Sequence, residues 1–157
     1  MIKQIIDTWN INNRVNLMLL DGISPEALNF TLSSRGGGTP AKQFAHLHNV
    51  RLYRLKESAK DIYREQTIIS LKENIKKELL KQNLVSSGLA IEKWLEKYTD
   101  KNGNLKGFKR GVVAFLGYII SHESHHRGNI ILTLKQCGYK LPKEITYGIW
   151  SWNNMGL

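Results

Sequence analysis

The stretch SHESHHRGN, from Ser121 to Asn129, holds three of the five histidines in the sequence. Within it, His122, Glu123 and His126 match the pattern H-E-x-x-H, which on a helix is typical of zinc peptidases. Residues i and i+4 of a helix share one face, about 5–6 Å apart at Cβ, so both histidines can bind the same ion. The stretch therefore predicts two metal ligands on the inward face of one helix.

The other two histidines, His46 and His48, occur together in a second helical segment. A separation of two residues turns their side chains roughly 200° apart around a helix, so only one of them can face His122 and His126. Helix bundles build metal sites from side chains on facing helices. Three neutral imidazoles leave positions open for water or substrate, as catalytic sites do. The alternative is that all these histidines are polar residues at seams between packed helices.

A peptidase needs more than the H-E-x-x-H string. Its mechanism requires a third ligand and a glutamate placed as general base, a part that would fall to Glu123. The one carboxylate after the histidine pair is Glu144, which lies in the lysine-containing turn PKEI. No strand precedes the helix to hold an extended peptide, so the sequence favours another kind of metal protein.

Composition limits the class of protein. The chain has 157 residues, 41% of them hydrophobic, enough for one core, so residues 1–157 are expected to form a single domain. The net charge is +10, yet acidic residues interrupt the basic ones except at residues 101–110, and nucleic-acid binding is expected to be weak. The single cysteine, Cys137, fits a reducing compartment. With no signal peptide and no apolar run long enough to span a membrane, a cytoplasmic protein is expected.

Helical spacing of apolar residues predicts the elements that position the histidines. Four long helices are expected at residues 2–20, 40–59, 70–98 and 111–136. Shorter features are a helix starting at the Ser-Pro-Glu of residues 24–26 and a glycine-rich loop at residues 33–38.

Two further expectations concern the second half of the chain. Gly88 lowers the helix propensity of the third long segment, residues 70–98. That segment is therefore expected to form either one helix or two abutting helices. After Pro142, a short helix should pack Trp150 and Trp152 against the bundle. With no strand-like alternation in the sequence, the fold class is expected to be all-α, a four-helix bundle with short additional helices.

Two segments, QFAHLHNVRLYRL at residues 43–55 and GYIISHESHHRGNIILTLKQCGY at residues 117–139, resemble the DinB/YfiT-like superfamily. The ending YGIWSW, at residues 147–152, is similar to that of one DinB-like subgroup. The resemblance implies an up-down-down-up bundle with a long crossover between the second and third helices, and a homodimer. It also implies a divalent metal ion, often zinc or nickel. The ligands that the resemblance implies are His46, His122 and His126. His48 is the alternative to His46 as ligand, and His125 is expected to lie away from the site.

For function, the resemblance implies a metal-dependent enzyme with a small-molecule substrate, either a transferase that uses a low-molecular-weight thiol or a hydrolase that uses metal-bound water. In a transferase the metal would lower the pKa of the thiol. Arg127 and the basic residues at 101–110 could then hold a carboxylate of the thiol or substrate, although Arg127 could equally form an ion pair at the surface or at a helix end. The alternative function is that of a damage-inducible protein that binds nucleic acid non-specifically through its basic surface.

Overall fold

The computed structural model describes residues 1–32, 38–72 and 74–155 of the chain. Their α-helices are α1 (Ile2–Asp21), α2 (Pro40–Ser58), α3 (Lys60–Tyr63), α4 (Lys77–Tyr98), α5 (Gly111–Gln136) and α6 (Lys143–Gly148). Two single turns of 3-10 helix lie at Ala27–Asn29 and Trp152–Asn154. The described residues form no β-strand, only isolated bridges in the loop after α4, so the all-helical class expected from the sequence is confirmed. None of the helices in these ranges combines the length and apolar character needed to cross a bilayer.

The helices that carry the histidines begin and end close to the predicted residues. At the start of α2, the hydroxyl of Thr39 accepts a hydrogen bond of 3.3 Å from the backbone N–H of Lys42, and Pro40 occupies the first turn. The α5 helix covers the predicted range 111–136. Beyond it, Gly138 has a φ of +78°, in the left-handed region that glycine adopts without a steric penalty.

Two of the shorter features differ from expectation or lie beyond the described chain. The helix expected from Ser24 is only a 3-10 turn, in which the Ser24 hydroxyl accepts a hydrogen bond from the backbone N–H of Ala27. Most of the loop predicted at residues 33–38 falls outside the described residues.

The α4 helix is continuous through Gly88, and it begins at Lys77 rather than at residue 70. Gly88 lies where α4 contacts α1: the indole N–H of Trp9 donates to the Gly88 carbonyl at 2.9 Å, and a Cβ on Gly88 would collide with the Asn13 side chain. Close packing between two helices therefore accounts for the glycine that weakened the helix prediction.

The four long helices surround a core in which α1 and α2 each pack against both α4 and α5. Two apolar clusters fill the two halves of the core, one around Leu19 and Phe44 and the other around Trp9 and Phe115. Between the clusters lies a set of buried polar side chains, here called the polar layer: Asn12, Asn16, Arg51, Ser87, Glu123 and Arg127. Every long helix contributes to this layer.

The C-terminal segment packs differently from the prediction. Trp150 is 76% exposed and Trp152 is 37% exposed, whereas Ile149 and Met155 are buried against Val15 of α1. Ile149 keeps a helical conformation, and its backbone N–H donates to the Ile145 carbonyl at 3.2 Å. Ile145 and Ile149 therefore share the inward face, and Trp150, the next residue, is turned about 100° away from it. The expectation that both tryptophans pack on the bundle is wrong.

Candidate metal centre

The α2 and α5 helices bring three histidines together. His46 comes from α2, His122 and His126 come from successive turns of α5, and one ring nitrogen of each lies within 4.8 Å of the others. The ring centroid of His46 lies 5.5 Å from that of His122 and 4.7 Å from that of His126, and the His122 and His126 centroids are 4.8 Å apart. All three residues are partly buried. This arrangement, here called the histidine triad, could hold a metal ion.

Two observations show that a metal ion fits the histidine triad. Nδ1 of His126 lies 3.2 Å from Oε1 of Gln43, a residue only 2% exposed. A proton on Nδ1 would be donated to that oxygen and would leave Nε2 as the ligand atom, the usual way in which a second group orients a metal-binding histidine. Nδ1 of His122 is buried and has no hydrogen-bond partner among the described residues, although buried nitrogens of native proteins normally have one.

The electrostatics of the histidine triad favour neutral rings. Burial lowers the pKa of His46, and burial together with the neighbouring His46 lowers the pKa of His122. For His126, burial and the charges of His46 and His122 lower the pKa to about 4. An unperturbed histidine titrates near 6.5, so all three are neutral at pH 7. Neutral imidazole is the form that binds a metal.

The remaining two histidines lie outside the triad. His48 is fully buried, with its ring nitrogens 3.0 and 2.8 Å from the carbonyl oxygens of Asn83 and Thr67. It therefore links α2 to α4 and to the segment after α3. His125 is exposed, and its Nε2 lies 3.1 Å from the Asn129 side chain.

Glu123 is turned away from the histidine triad into the polar layer. It is fully buried, and Arg51 donates to both of its oxygens, from Nε at 2.7 Å and from Nη2 at 3.0 Å. Asn12 and Asn16 each add a hydrogen bond of 2.7 Å to Oε2. Burial alone would raise the pKa of Glu123, but the charge and hydrogen bonds of Arg51 hold it below its usual value. A carboxylate bound in this way is not available as a general base, so the peptidase interpretation does not fit.

The polar layer was not predicted from the sequence. Nη1 of Arg51 donates to Asn13, to the backbone carbonyl of Leu84 and to Ser87, which ties α2 to α1 and α4. The signal in the sequence was the pair Asn12 and Asn16, spaced i and i+4 inside an apolar helix.

Arg127 also belongs to the polar layer and not to the metal centre. It is 8% exposed, and its Nη1 donates to the side-chain oxygens of Asn12 and Asn16 at 2.9 and 2.8 Å. It therefore faces α1. Neither the surface ion pair nor the substrate-binding role at the metal centre that the sequence suggested fits this position.

A different arginine lies beside the histidine triad. Nη2 of Arg54 donates to the hydroxyl of Tyr118 at 2.6 Å, and its guanidinium lies 4.8 Å from the centre of that ring. The Tyr118 ring is in turn stacked against His122, with ring centroids 6.4 Å apart and an interplanar angle of 18°. Arg54 thus places a positive charge next to the candidate metal centre.

Comparison with known proteins shows a family match over almost the whole chain. Residues 1–152 of the chain match the model of the DinB family. No curated protein and no solved structure matches the chain.

Proposed function

We propose that this chain, which belongs to the DinB family, is a metal-dependent enzyme whose divalent ion is held by His46, His122 and His126. The observation that carries the proposal is the convergence of three neutral, partly buried imidazoles from two helices, with ligand atoms within 4.8 Å of one another. Three protein ligands leave coordination positions open, as catalytic sites do. Zinc or nickel is the ion that we expect, because both are well suited to imidazole ligands.

The chain's own residues prepare the centre for an anionic reactant. When bound, the ion supplies a Lewis acid that lowers the pKa of a coordinated thiol or water. Gln43 fixes the ring orientation of His126, and Tyr118 packs against His122. Arg54 offers a guanidinium, the group best suited to pairing with a carboxylate, to a small-molecule thiol or substrate.

Of the two reaction classes, a thiol-dependent transferase is better supported than a hydrolase. In hydrolases with the H-E-x-x-H pattern, the glutamate next to the histidine pair serves as general base. The carboxylate next to the histidine pair, Glu123, is bound by Arg51 and two asparagines inside the polar layer. A thiol bound to a divalent metal loses its proton without such a base.

The test uses the cobalt-substituted protein. Thiolate coordinated to Co²⁺ gives a strong near-ultraviolet charge-transfer band, which nitrogen and oxygen ligands do not give. We expect glutathione or cysteine to produce a saturable band in the wild-type protein and in His125→Ala, but not in His122→Ala.

Two results would contradict the proposal at different levels. A protein that binds cobalt but gives no band with any low-molecular-weight thiol would exclude the transferase and leave the hydrolase. A chain that fails to bind cobalt, zinc or nickel would overturn the enzyme proposal as a whole.

Family membership supports several further proposals. We propose that the long helices run up-down-down-up, with a long crossover between α2 and α4, and that two copies form a homodimer. On the grounds of its composition, we also propose that the protein is cytoplasmic. A DNA-damage-response role with weak, non-specific nucleic-acid binding remains the alternative function. The exposed basic residues within 101–110 are the feature that favours it.

A further inference from the structure

A pocket of about 200 Å³ lies on the other side of α5 from the histidine triad. It is formed by α1, α5 and the C-terminal segment, and its lining includes Ser124, Arg127, Trp150 and Trp152. Each residue of an α-helix is rotated by about 100° from the one before it. Ser124 comes two residues after His122, so its side chain points roughly to the opposite side of α5. The pocket contains no member of the triad and is therefore a separate site.

Among the described residues, the buried charges beside this pocket sum to one excess positive charge. Arg51 and Arg127 place two guanidinium groups in the polar layer, and Glu123 supplies one carboxylate, which Arg51 binds with two hydrogen bonds. Arg51 and Arg127 share the single carboxylate of Glu123, and a buried charge is costly unless it is paired, so an anion that reaches Arg127 would be favoured.

Arg127 keeps donors available for such an anion. Both hydrogen bonds that it makes to described residues come from Nη1 and go to the neutral amide oxygens of Asn12 and Asn16. Nε and Nη2 remain for the pocket that the residue lines. A guanidinium binds a carboxylate through two parallel N–H···O bonds, and none of the described residues that line the pocket is acidic.

The rest of the lining is apolar or aromatic. Val15 and Ile131 contribute aliphatic surface, and the two tryptophans of the C-terminal segment stand at the pocket, with Trp150 76% exposed. Large exposed aromatic side chains beside a pocket are typical of ligand-binding sites, because stacking on a ligand removes them from water.

We propose that this pocket binds a small carboxylate with an apolar body, the carboxylate pairing with Arg127 and the body packing against Trp150, Trp152 and Ile131. The site goes beyond the proposed metal-dependent function, since it uses residues of the opposite face of α5.

The experiment compares phenylacetate with its uncharged counterpart phenylacetamide, using calorimetry and tryptophan fluorescence on the metal-free full chain. Charge-assisted hydrogen bonds predict that phenylacetate binds at least about tenfold more tightly. The His122→Ala variant should bind phenylacetate as the wild type does, which separates this site from the metal centre.

A pair of glycine variants on α5 supplies the structural control. Gly128 lines the pocket, and a Cβ added there meets no atom within 4 Å, so Gly128→Leu can fill the pocket without disturbing the helix. We expect it to weaken phenylacetate binding at least about tenfold. Gly117 also has open space around it but does not line the pocket, so Gly117→Leu should bind like the wild type.

Arg127→Gln should abolish the preference for the acid over the amide. That variant disturbs the polar layer and can fail to fold. The comparison of Gly128→Leu with Gly117→Leu and the comparison of phenylacetate with phenylacetamide are therefore sufficient to test the proposal. No detectable binding of phenylacetate at millimolar concentration, equal affinity for acid and amide, or unchanged binding in Gly128→Leu would each overturn the proposal.

Discussion

Replacing Glu123 with Gln removes the negative charge of the polar layer and keeps the shape of the side chain. In the folded protein the carboxylate accepts two hydrogen bonds from Arg51 and one each from Asn12 and Asn16. A Gln amide group at the position of Oε2 would present donors to three other donors. Arg51 and Arg127 would also remain buried without a counterion.

The size of the effect follows from the burial of the pair. Glu123 and Arg51 both have 0% exposed side chains, and breaking a fully buried ion pair by removing one partner costs about 3–5 kcal/mol. We therefore expect Glu123→Gln to lower the free energy of unfolding by about that amount. The matched control is Asp21→Asn at the Lys81–Asp21 pair, whose side chains are 51% and 47% exposed, and there the loss should stay below about 1 kcal/mol.

The effect should depend on pH with a definite sign. The pKa of Glu123 is lowered in the folded state from the ordinary 4.5, so its carboxylate contributes stability above that value and loses it as the pH falls towards the folded-state pKa. The stability difference between wild type and Glu123→Gln should therefore be largest near neutral pH and shrink in acid.

Urea unfolding followed by circular dichroism, with chelator present for both proteins, measures this difference. A loss of stability in Glu123→Gln no larger than in Asp21→Asn would show that the buried ion pair does not stabilise the fold. A loss of the same size at neutral and acidic pH would show that the charge of the carboxylate is not its cause.

Three further predictions concern packing, the role of the metal and nucleic acid. Gly88→Ala should destabilise the protein by about 1–3 kcal/mol in chemical unfolding, because the added Cβ displaces Asn13 from Arg51. Gly117→Ala places its Cβ in open space and should stabilise the protein by about 0.5–1 kcal/mol, because alanine favours the helix more than glycine does. Removal of the metal by chelation should leave a helical, cooperatively melting protein, since two apolar clusters form the core without it; collapse of the helical circular dichroism signal at room temperature would instead indicate a structural site. Binding to labelled duplexes of unrelated sequence should be weak and should fall steeply with salt, by about 0.9 log units per phosphate contact for each tenfold rise in salt; tight, sequence-selective binding at physiological salt would place the nucleic-acid function first.

The helices could be predicted from the sequence because their signals are local. Thr39 and Pro40 mark the start of α2, and apolar periodicity marks α5. Spacing alone identified His122 and His126 as a pair on one face. It also showed that His46 and His48 could not both join that pair, although only the family resemblance selected His46.

The parts that could not be predicted depend on contacts between distant residues. Glu123 partners Arg51 across 72 positions, so nothing near it in sequence indicates that it faces the core and not the metal centre. Gly88 weakens its helix locally, yet the contact with Asn13 on α1 accounts for it. The direction of Trp150 depends on the packing of Ile149 against Val15 of α1, a contact that periodicity in so short a segment does not indicate.

The metal content of untagged protein tests the central claim, that His46, His122 and His126 bind one divalent ion. Elemental analysis after reconstitution with zinc or nickel and gel filtration should give one ion per chain for the wild type and for His125→Ala, which alters the neighbouring exposed histidine. Replacing any one member of the histidine triad with Ala should abolish stoichiometric binding. Full metal content in both His46→Ala and His122→Ala, or a wild-type chain that retains no metal, would contradict the account.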